Sequence, residues 1–252
     1  MGATKISSRL PVPASQLQAP LPKRISPGLA VPPIWMRSEV PVAYIDAVSR
    51  MEQRVDAILS GDAPETIWLL EHEPVITAGT SASECELLDH KNIPVVTAGR
   101  GGRYTLHGPG QRIVYVMLDL TRRRRDVRVL IQALETWVSA ALLDIGVVAG
   151  PRDGRVGLWV DRSADKGVGH EDKIAAIGLR LRRWISFHGI SINVNMDISE
   201  FNRIVPCGID DSRYGVTSLA DLGRKASMIA LDEALAGSFT RTIGRLLPTT
   251  SY

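Results

Sequence analysis

Two cysteines in 252 residues, Cys85 and Cys207, exclude a disulfide framework as the support of a chain this long. They fit a reducing, cytoplasmic setting in which a thiol stays free. No apolar run approaches the roughly 18–20 residues that span a bilayer, so no membrane role is expected. Aromatic residues make up 5% of the chain and do not interleave with the arginine run 122–125. That argues against stacking on single-stranded nucleic acid, and no nucleic-acid partner is expected. The five histidines are scattered without paired His/Cys spacing, so no metal site is expected. No G-K-[ST] occurs. Gly99, Gly101 and Gly102 begin a G-x-G pattern, but Tyr104 stands at the sixth position and a strand pattern follows where a dinucleotide site needs a helix. No cofactor is therefore expected.

What is present is a chain with 44% hydrophobic residues, 23% charged residues and a net charge of +3, enough to bury the core of one sizeable domain. Residues 1–38 hold seven prolines and Lys5, Arg9, Lys23, Arg24 and Arg37 with no acid. They predict a basic arm, poorly ordered or strapped over the domain surface, with a single catalytic domain over residues 39–252. The basic bias of the chain favours an acidic partner, and the run at 122–125 reads equally as a solvated loop and as a docking patch for one.

Apolar residues at helical spacing predict a first helix over 44–59, stopped by Gly61, and a second over 127–145, stopped by Gly146. A third covers about 226–246. Short strands are predicted at 66–71, 75–78, 94–98, 103–106, 113–118 and 156–160, with a polar loop over 161–172. Residues 173–187 alternate as a strand pair or one bent strand, and His188-Gly189 reads as a bend within the sheet. Strands grouped together, with helices before, between and after them, indicate an α+β fold around a mixed sheet.

Cys207 lies in Pro206-Cys207-Gly208, a tight loop whose glycine leaves room for a substrate beside the sulfur. A free thiol is only about 3% thiolate at neutral pH, so a nucleophilic cysteine needs a cation nearby. Lys173, at the head of the apolar run Lys173-Ile174-Ala175-Ala176-Ile177-Gly178, is the best candidate in the chain. Cys85 sits among Glu84, Glu86 and Asp89, where carboxylates disfavour a thiolate, and is assigned no chemistry. Gly108-Pro109-Gly110-Gln111 fits a type II turn that would present His107. A thiol, an amine and a glycine-lined turn are the parts of a cysteine-dependent acyltransferase.

At these residues the sequence resembles the lipoyl(octanoyl) transferases, relatives of the lipoate and biotin protein ligases. The resemblance rests on Glu71-His72-Glu73-Pro74, on Arg100-Gly101-Gly102 with His107-Gly108-Pro109-Gly110-Gln111, and on Lys173-Ile174-Ala175-Ala176-Ile177-Gly178-Leu179-Arg180. Ser186-Phe187-His188-Gly189, Asn193-Val194-Asn195-Met196-Asp197 and Pro206-Cys207-Gly208 complete it. It implies a biotin/lipoate protein ligase-like fold, a mixed sheet flanked by helices. It also implies transfer of octanoyl from acyl carrier protein to a lysine of lipoyl domains, through a thioester on Cys207 activated by Lys173. The implied acceptors are the E2 subunits of 2-oxoacid dehydrogenases and the H protein of glycine cleavage, and a monomer is expected. Arg100, Gly101, Gly102, Arg103, Tyr104, Thr105, Leu106 and His107 would line the acyl pocket with Ala176, Ile177, Gly178, Gly189, Ile190 and Ser191. The stretch 154–172 is longer than the family's hairpin. Two rivals are an ATP-dependent lipoate or octanoate ligase of related fold, which would not need Cys207, and a noncatalytic protein binding through its arginine run.

Overall fold

The computed structural model describes residues 32–90, 92–208 and 211–246, with Cys207 and Leu246 as backbone only. The chain runs β1 (Ile34–Arg37), α1 (Tyr44–Ser60), β2 (Thr66–Leu70), β3 (Val75–Ala78), β4 (Val95–Thr97), β5 (Tyr104–His107), β6 (Gln111–Met117) and α2 (Val127–Asp144). It continues β7 (Gly150–Arg152), β8 (Arg155–Asp161), α3 (Ser163–Lys166), β9 (Glu171–Arg182), β10 (Ile185–Asn193), β11 (Tyr214–Val216) and α4 (Met228–Leu246). The main sheet has the order β1-β2-β6-β10-β9-β8-β7, with β11 paired to β9. Only β1–β2 and β11–β9 run parallel, so the sheet is mixed. A second small sheet has the order β4-β3-β5.

Helices cover both faces of the main sheet. On one face Leu130, Leu134, Trp137 and Val138 of α2 and Leu231 and Leu235 of α4 pack on Val114, Val116, Ile190 and Ile192. On the other, Ala47, Met51 and Val55 of α1 pack on Trp68, Tyr115, Met117 and Phe187. The α2 stripe repeats at three- and four-residue steps, which is why it faces one way. Its N-terminus is closed by Asp126, whose carboxylate accepts the N–H groups of Arg128 and Val129.

Two features depart from the sequence reading, the strand at Ile34–Arg37 and the length of the loop 161–172, while the strand pair and the bend at His188 that it offered are both present. Ile34–Arg37, inside the stretch expected to be an arm, pairs in parallel with β2. Trp35 anchors it, edge-on to Trp137 at 6.0 Å and to Phe239 at 5.5 Å. Residues 1–31 of the arm lie outside the described residues. The segment 173–187 divides into β9 and β10 at the two-residue turn Arg183-Trp184, with φ of 50° and 70°. That is the twist a two-residue hairpin needs, made here without the usual Gly or Asn. The expected irregularity at His188 is present inside β10, as a φ of 60°. The loop 161–172 is shorter than expected, because β8 and β9 extend into it around α3.

The arginine run is also divided. Arg123 is buried against Glu65 in a bidentate pair, its second contact at 2.7 Å, while Arg124 is 70% exposed. Asp119, at the start of this connection, bridges to Ile185 beside the β9–β10 turn. Lys173 lies at the other end of β9, nine residues away, or roughly 30 Å along an extended strand. The exposed part of the run therefore lies at the β9–β10 turn end of the sheet, away from Lys173.

Candidate active site

A bulge decides where Lys173 points. Leu158 pairs with Ala175 and the next residue, Trp159, pairs with Lys173, so Ile174 is one residue too many for the ladder. Without it, Lys173 would share a face with Ala175, Ile177 and Leu179, which lie against the α2–α4 core. With it, Lys173 turns to the other side and lines a cavity together with Ala176 and Gly178. The lysine is 8% exposed. Its Nζ donates to the Val156 carbonyl at 2.8 Å and lies 4.8 Å from the centre of the Trp159 ring. Gly157, with φ of 110°, is required beside it. A Cβ there would stand 2.5 Å from the Ala175 carbonyl oxygen and 3.3 Å from Nζ.

The cavity measures about 640 Å³, a volume common for small-ligand sites. Of the expected pocket residues, all but Leu106 line it. Leu106 is buried with Ile76, Phe201 and Ile204 in the core of the small sheet, because alternation along β5 turns it away. The loop around Arg100 is held from two sides. Its guanidinium donates to the Thr77 carbonyl at 2.9 Å and the Thr77 hydroxyl at 2.6 Å, and the Gly101 N–H donates to the Leu179 carbonyl at 3.0 Å.

Pro206 and Gly208 line the same cavity as Lys173, so the two expected catalytic positions converge on one space. The backbone of Pro206–Gly208 forms a tight helical turn closed by the Gly208 N–H to the Val205 carbonyl at 3.0 Å. Val205 donates to the Glu86 carbonyl at 2.8 Å, and Arg103, ion-paired to Glu86, lies against Gly208. The side chain of Cys207 lies outside the described residues.

Away from Lys173 the cavity reaches a buried polar cluster. His72 donates from Nδ1 to the Val42 carbonyl at 2.8 Å, so its Nε2 accepts the Tyr115 hydroxyl at 2.6 Å. His107 Nδ1 donates to Gln111 at 2.6 Å, Gln111 donates to Asn193 at 2.9 Å, and Asn193 donates to the Thr217 carbonyl at 2.9 Å. The Val42 carbonyl and the Gln111 oxygen thus fix the tautomers of His72 and His107, and the Asn193 and Thr217 oxygens fix the orientations of the Gln111 and Asn193 amides. Burial lowers His72 and His188 to about 4, and burial with the nearby His72 lowers His107 to about 3, so all three are neutral. The same burial raises the Tyr44 and Tyr115 phenols. The Tyr44 hydroxyl is buried without a hydrogen-bond partner among the described residues. Gly110, with φ of 85°, sets the turn beside this cluster. Its N–H donates to Glu71 at 2.7 Å, and a Cβ would stand 2.5 Å from the Met196 nitrogen.

Sequence reasoning missed Tyr44, Tyr115 and Trp159 as cavity residues. Tyr44 and Tyr115 occupy core positions of a regular period, and the only signal was a polar tip on an otherwise apolar stripe. Trp159 could be placed only by knowing the bulge opposite it.

The architecture defines a class of protein. An archaeal lipoate protein ligase from Thermoplasma acidophilum, solved as a bipartite enzyme with its E2 lipoyl domain, superposes with a TM-score of 0.60. At 16% identity, covering 84% of this chain and 83% of that one, it shares the fold. Residues 43–240 match the model of the lipoyl protein ligase A/B catalytic domain, and the chain belongs to that family. It is 56% identical over 211 residues to an octanoyltransferase of Rhodopseudomonas palustris strain BisA53, covering 84% of this chain and 89% of the relative. An octanoyltransferase of Nitrobacter winogradskyi is 55% identical over 219 residues, covering 87% and 93%.

Proposed function

We propose that this protein is an octanoyltransferase of protein lipoylation, working through a thioester on Cys207. The observation that carries the reading is the convergence of Lys173 and the Pro206–Gly208 turn on one cavity, in a chain 55–56% identical to octanoyltransferases. The donor is octanoyl-acyl carrier protein. The acceptors are lysines on the lipoyl domains of 2-oxoacid dehydrogenase E2 subunits and on the glycine cleavage H protein.

In the first half-reaction the Cys207 thiolate, held beside the Lys173 ammonium, attacks the donor thioester carbon. The carrier thiolate leaves with the proton of the Lys173 ammonium, which becomes neutral, and the octanoyl group remains on the Cys207 sulfur. In the second, the acceptor lysine attacks as a neutral amine, forming the amide and releasing the Cys207 thiol. That amine is under about 0.1% neutral at pH 7, so a base must remove its proton. Lys173, left neutral by the first half-reaction, takes that proton in this reading. Exchange between thioesters is nearly isoenergetic and amide formation is downhill, so no nucleotide is consumed. Arg100–His107 on one side and Ala176–Gly178 with Gly189–Ser191 on the other hold the acyl chain.

Intact-mass measurement after mixing with octanoyl-acyl carrier protein, without ATP, tests this directly. One octanoyl increment on the peptide containing Cys207, passed on to an added lipoyl domain, is the expected result. An adduct on Cys85 alone would overturn the assignment of Cys207, and transfer that requires ATP would replace the reading with that of a ligase.

A further inference from the structure

We infer that Glu135 is a positioning residue for Lys173, acting through the peptide that joins Val156 to Gly157. The inference rests on the reading of Lys173 as the proton carrier of the site. Glu135 projects from the α2 face that otherwise packs Leu130, Leu134, Trp137 and Val138 on the sheet, and it is 7% exposed. A carboxylate buried there costs free energy unless something on the sheet receives it. Its Oε1 accepts the N–H of Gly157 at 3.0 Å. The other end of the same peptide, the Val156 carbonyl, accepts Lys173 Nζ at 2.8 Å.

One planar amide therefore connects the carboxylate to the amine. Its resonance couples the two ends, so a negative acceptor on the N–H increases electron density on the carbonyl oxygen. The ammonium meets a stronger acceptor than an isolated peptide would offer, and the amine is held at a fixed point. The β8–β9 ladder begins at Leu158, and the bulge at Ile174 follows at once, so the peptide before it is turned out of regular register. Its orientation depends on Glu135 on one side and Lys173 on the other. The absent side chain at Gly157 leaves the space in which Nζ sits.

The variants Glu135→Gln, Glu135→Ala and Lys173→Ala of the full chain test this, each measured for transfer from octanoyl-acyl carrier protein against pH and for melting temperature. Glu135→Gln keeps the shape and an acceptor oxygen but removes the charge. It should melt like the parent and keep the parental KM. The alkaline limb of its kcat profile should move to lower pH by about 0.5–1 unit, because the ammonium is held less strongly. Glu135→Ala, which frees the peptide, should lose roughly 30- to 100-fold in kcat with the donor KM within about twofold, the scale of a misplaced catalytic group. An unmoved alkaline limb in Glu135→Gln would overturn the inference. So would a Glu135→Ala loss that only tracks its unfolded fraction. Lys173→Ala separates the two levels: if it keeps the parental alkaline limb, the role of Lys173 falls and the Glu135 inference with it. If it abolishes that limb while the Glu135 variants leave it in place, only the inference falls.

Discussion

On one face of β6, β10 and β9, Val114, Val116, Ile190, Ile192 and Ile174 are packed against α2 and α4. On the other face the same three strands present Tyr115, Gly189, Ser191, Ala176 and Lys173 to the cavity. The first face buries large side chains completely. The second holds the reactive lysine and a non-glycine residue, His188, at φ of 60°, and it looks onto His72 and His107 from outside these strands, all three histidines held neutral by burial. A residue in the left-handed region costs about 1–3 kcal/mol, which only well-packed surroundings can offset. One sheet thus has a face given wholly to packing and a face shared between the α1 core and the cavity.

Four experiments would break or sharpen that division. The largest effect is expected at the reactive end of the cavity face. Lys173→Ala should lower transfer by about 1,000-fold or more, as loss of a group that acts in both half-reactions, with little change in melting. It should also move the midpoint of Cys207 alkylation to higher pH by about 1–3 units. An unchanged alkylation profile would show that the lysine does not reach the thiolate. On the packed face, Leu134→Ala removes a fully buried side chain and should cost about 2–5 kcal/mol in chemical denaturation. Its rate per folded molecule should be that of the parent. A changed acyl preference would show that the two faces are coupled.

The third experiment concerns the buried histidines. Their unfolded value is near 6.5 and their folded values are about 3–4, so unfolding takes up protons between these limits. Stability is full above pH 6.5 and falls as the pH drops towards 4, by up to about 1.4 kcal/mol per pH unit for each histidine. Replacing His72 by Gln should flatten denaturant midpoints measured from pH 7 to 5. A slope unchanged by that substitution would mean His72 titrates alike in both states. The smallest effect is expected at the exposed part of the arginine run. Arg124→Ser with Arg125→Ser should change the KM for octanoyl-acyl carrier protein by less than about twofold, since exposed charges act through a screened field. A rise of tenfold would give a docking role to that end of the sheet.

The regular face was largely legible in the sequence. The α2 stripe, its stop at Gly146 and the α1 stripe from Tyr44 all follow from spacing, and the observed helices match within a residue or two. The Gly108–Gln111 turn was equally plain, because Pro and Gly stand where a type II turn needs them, and the Gln111 N–H closes it on the Gly108 carbonyl at 3.2 Å. What could not be read was every place where tertiary packing overrides local preference. Arg183 and Trp184 adopt turn geometry with neither residue favouring it. The strand at Ile34–Arg37 is too short and too close to prolines to show a period. Its evidence is the contact of Trp35 with Trp137 and Phe239, which are distant in sequence. The bulge is invisible for the same reason: it is a relation between two strands and belongs to neither sequence alone.

That relation also has a bearing on how this site can vary. Whether Lys173 faces the cavity or the core is a matter of odd and even counting along β9, and the single residue Ile174 sets the count. Exchanging one amino acid for another keeps the count, so a complete library of point substitutions samples every chemistry at Lys173 and never its side of the sheet. Removing one residue alters the count without touching any reactive group. A three-nucleotide deletion at codon 174 would therefore be expected to turn Lys173 from the cavity to the core while leaving both the lysine and the cysteine in the gene.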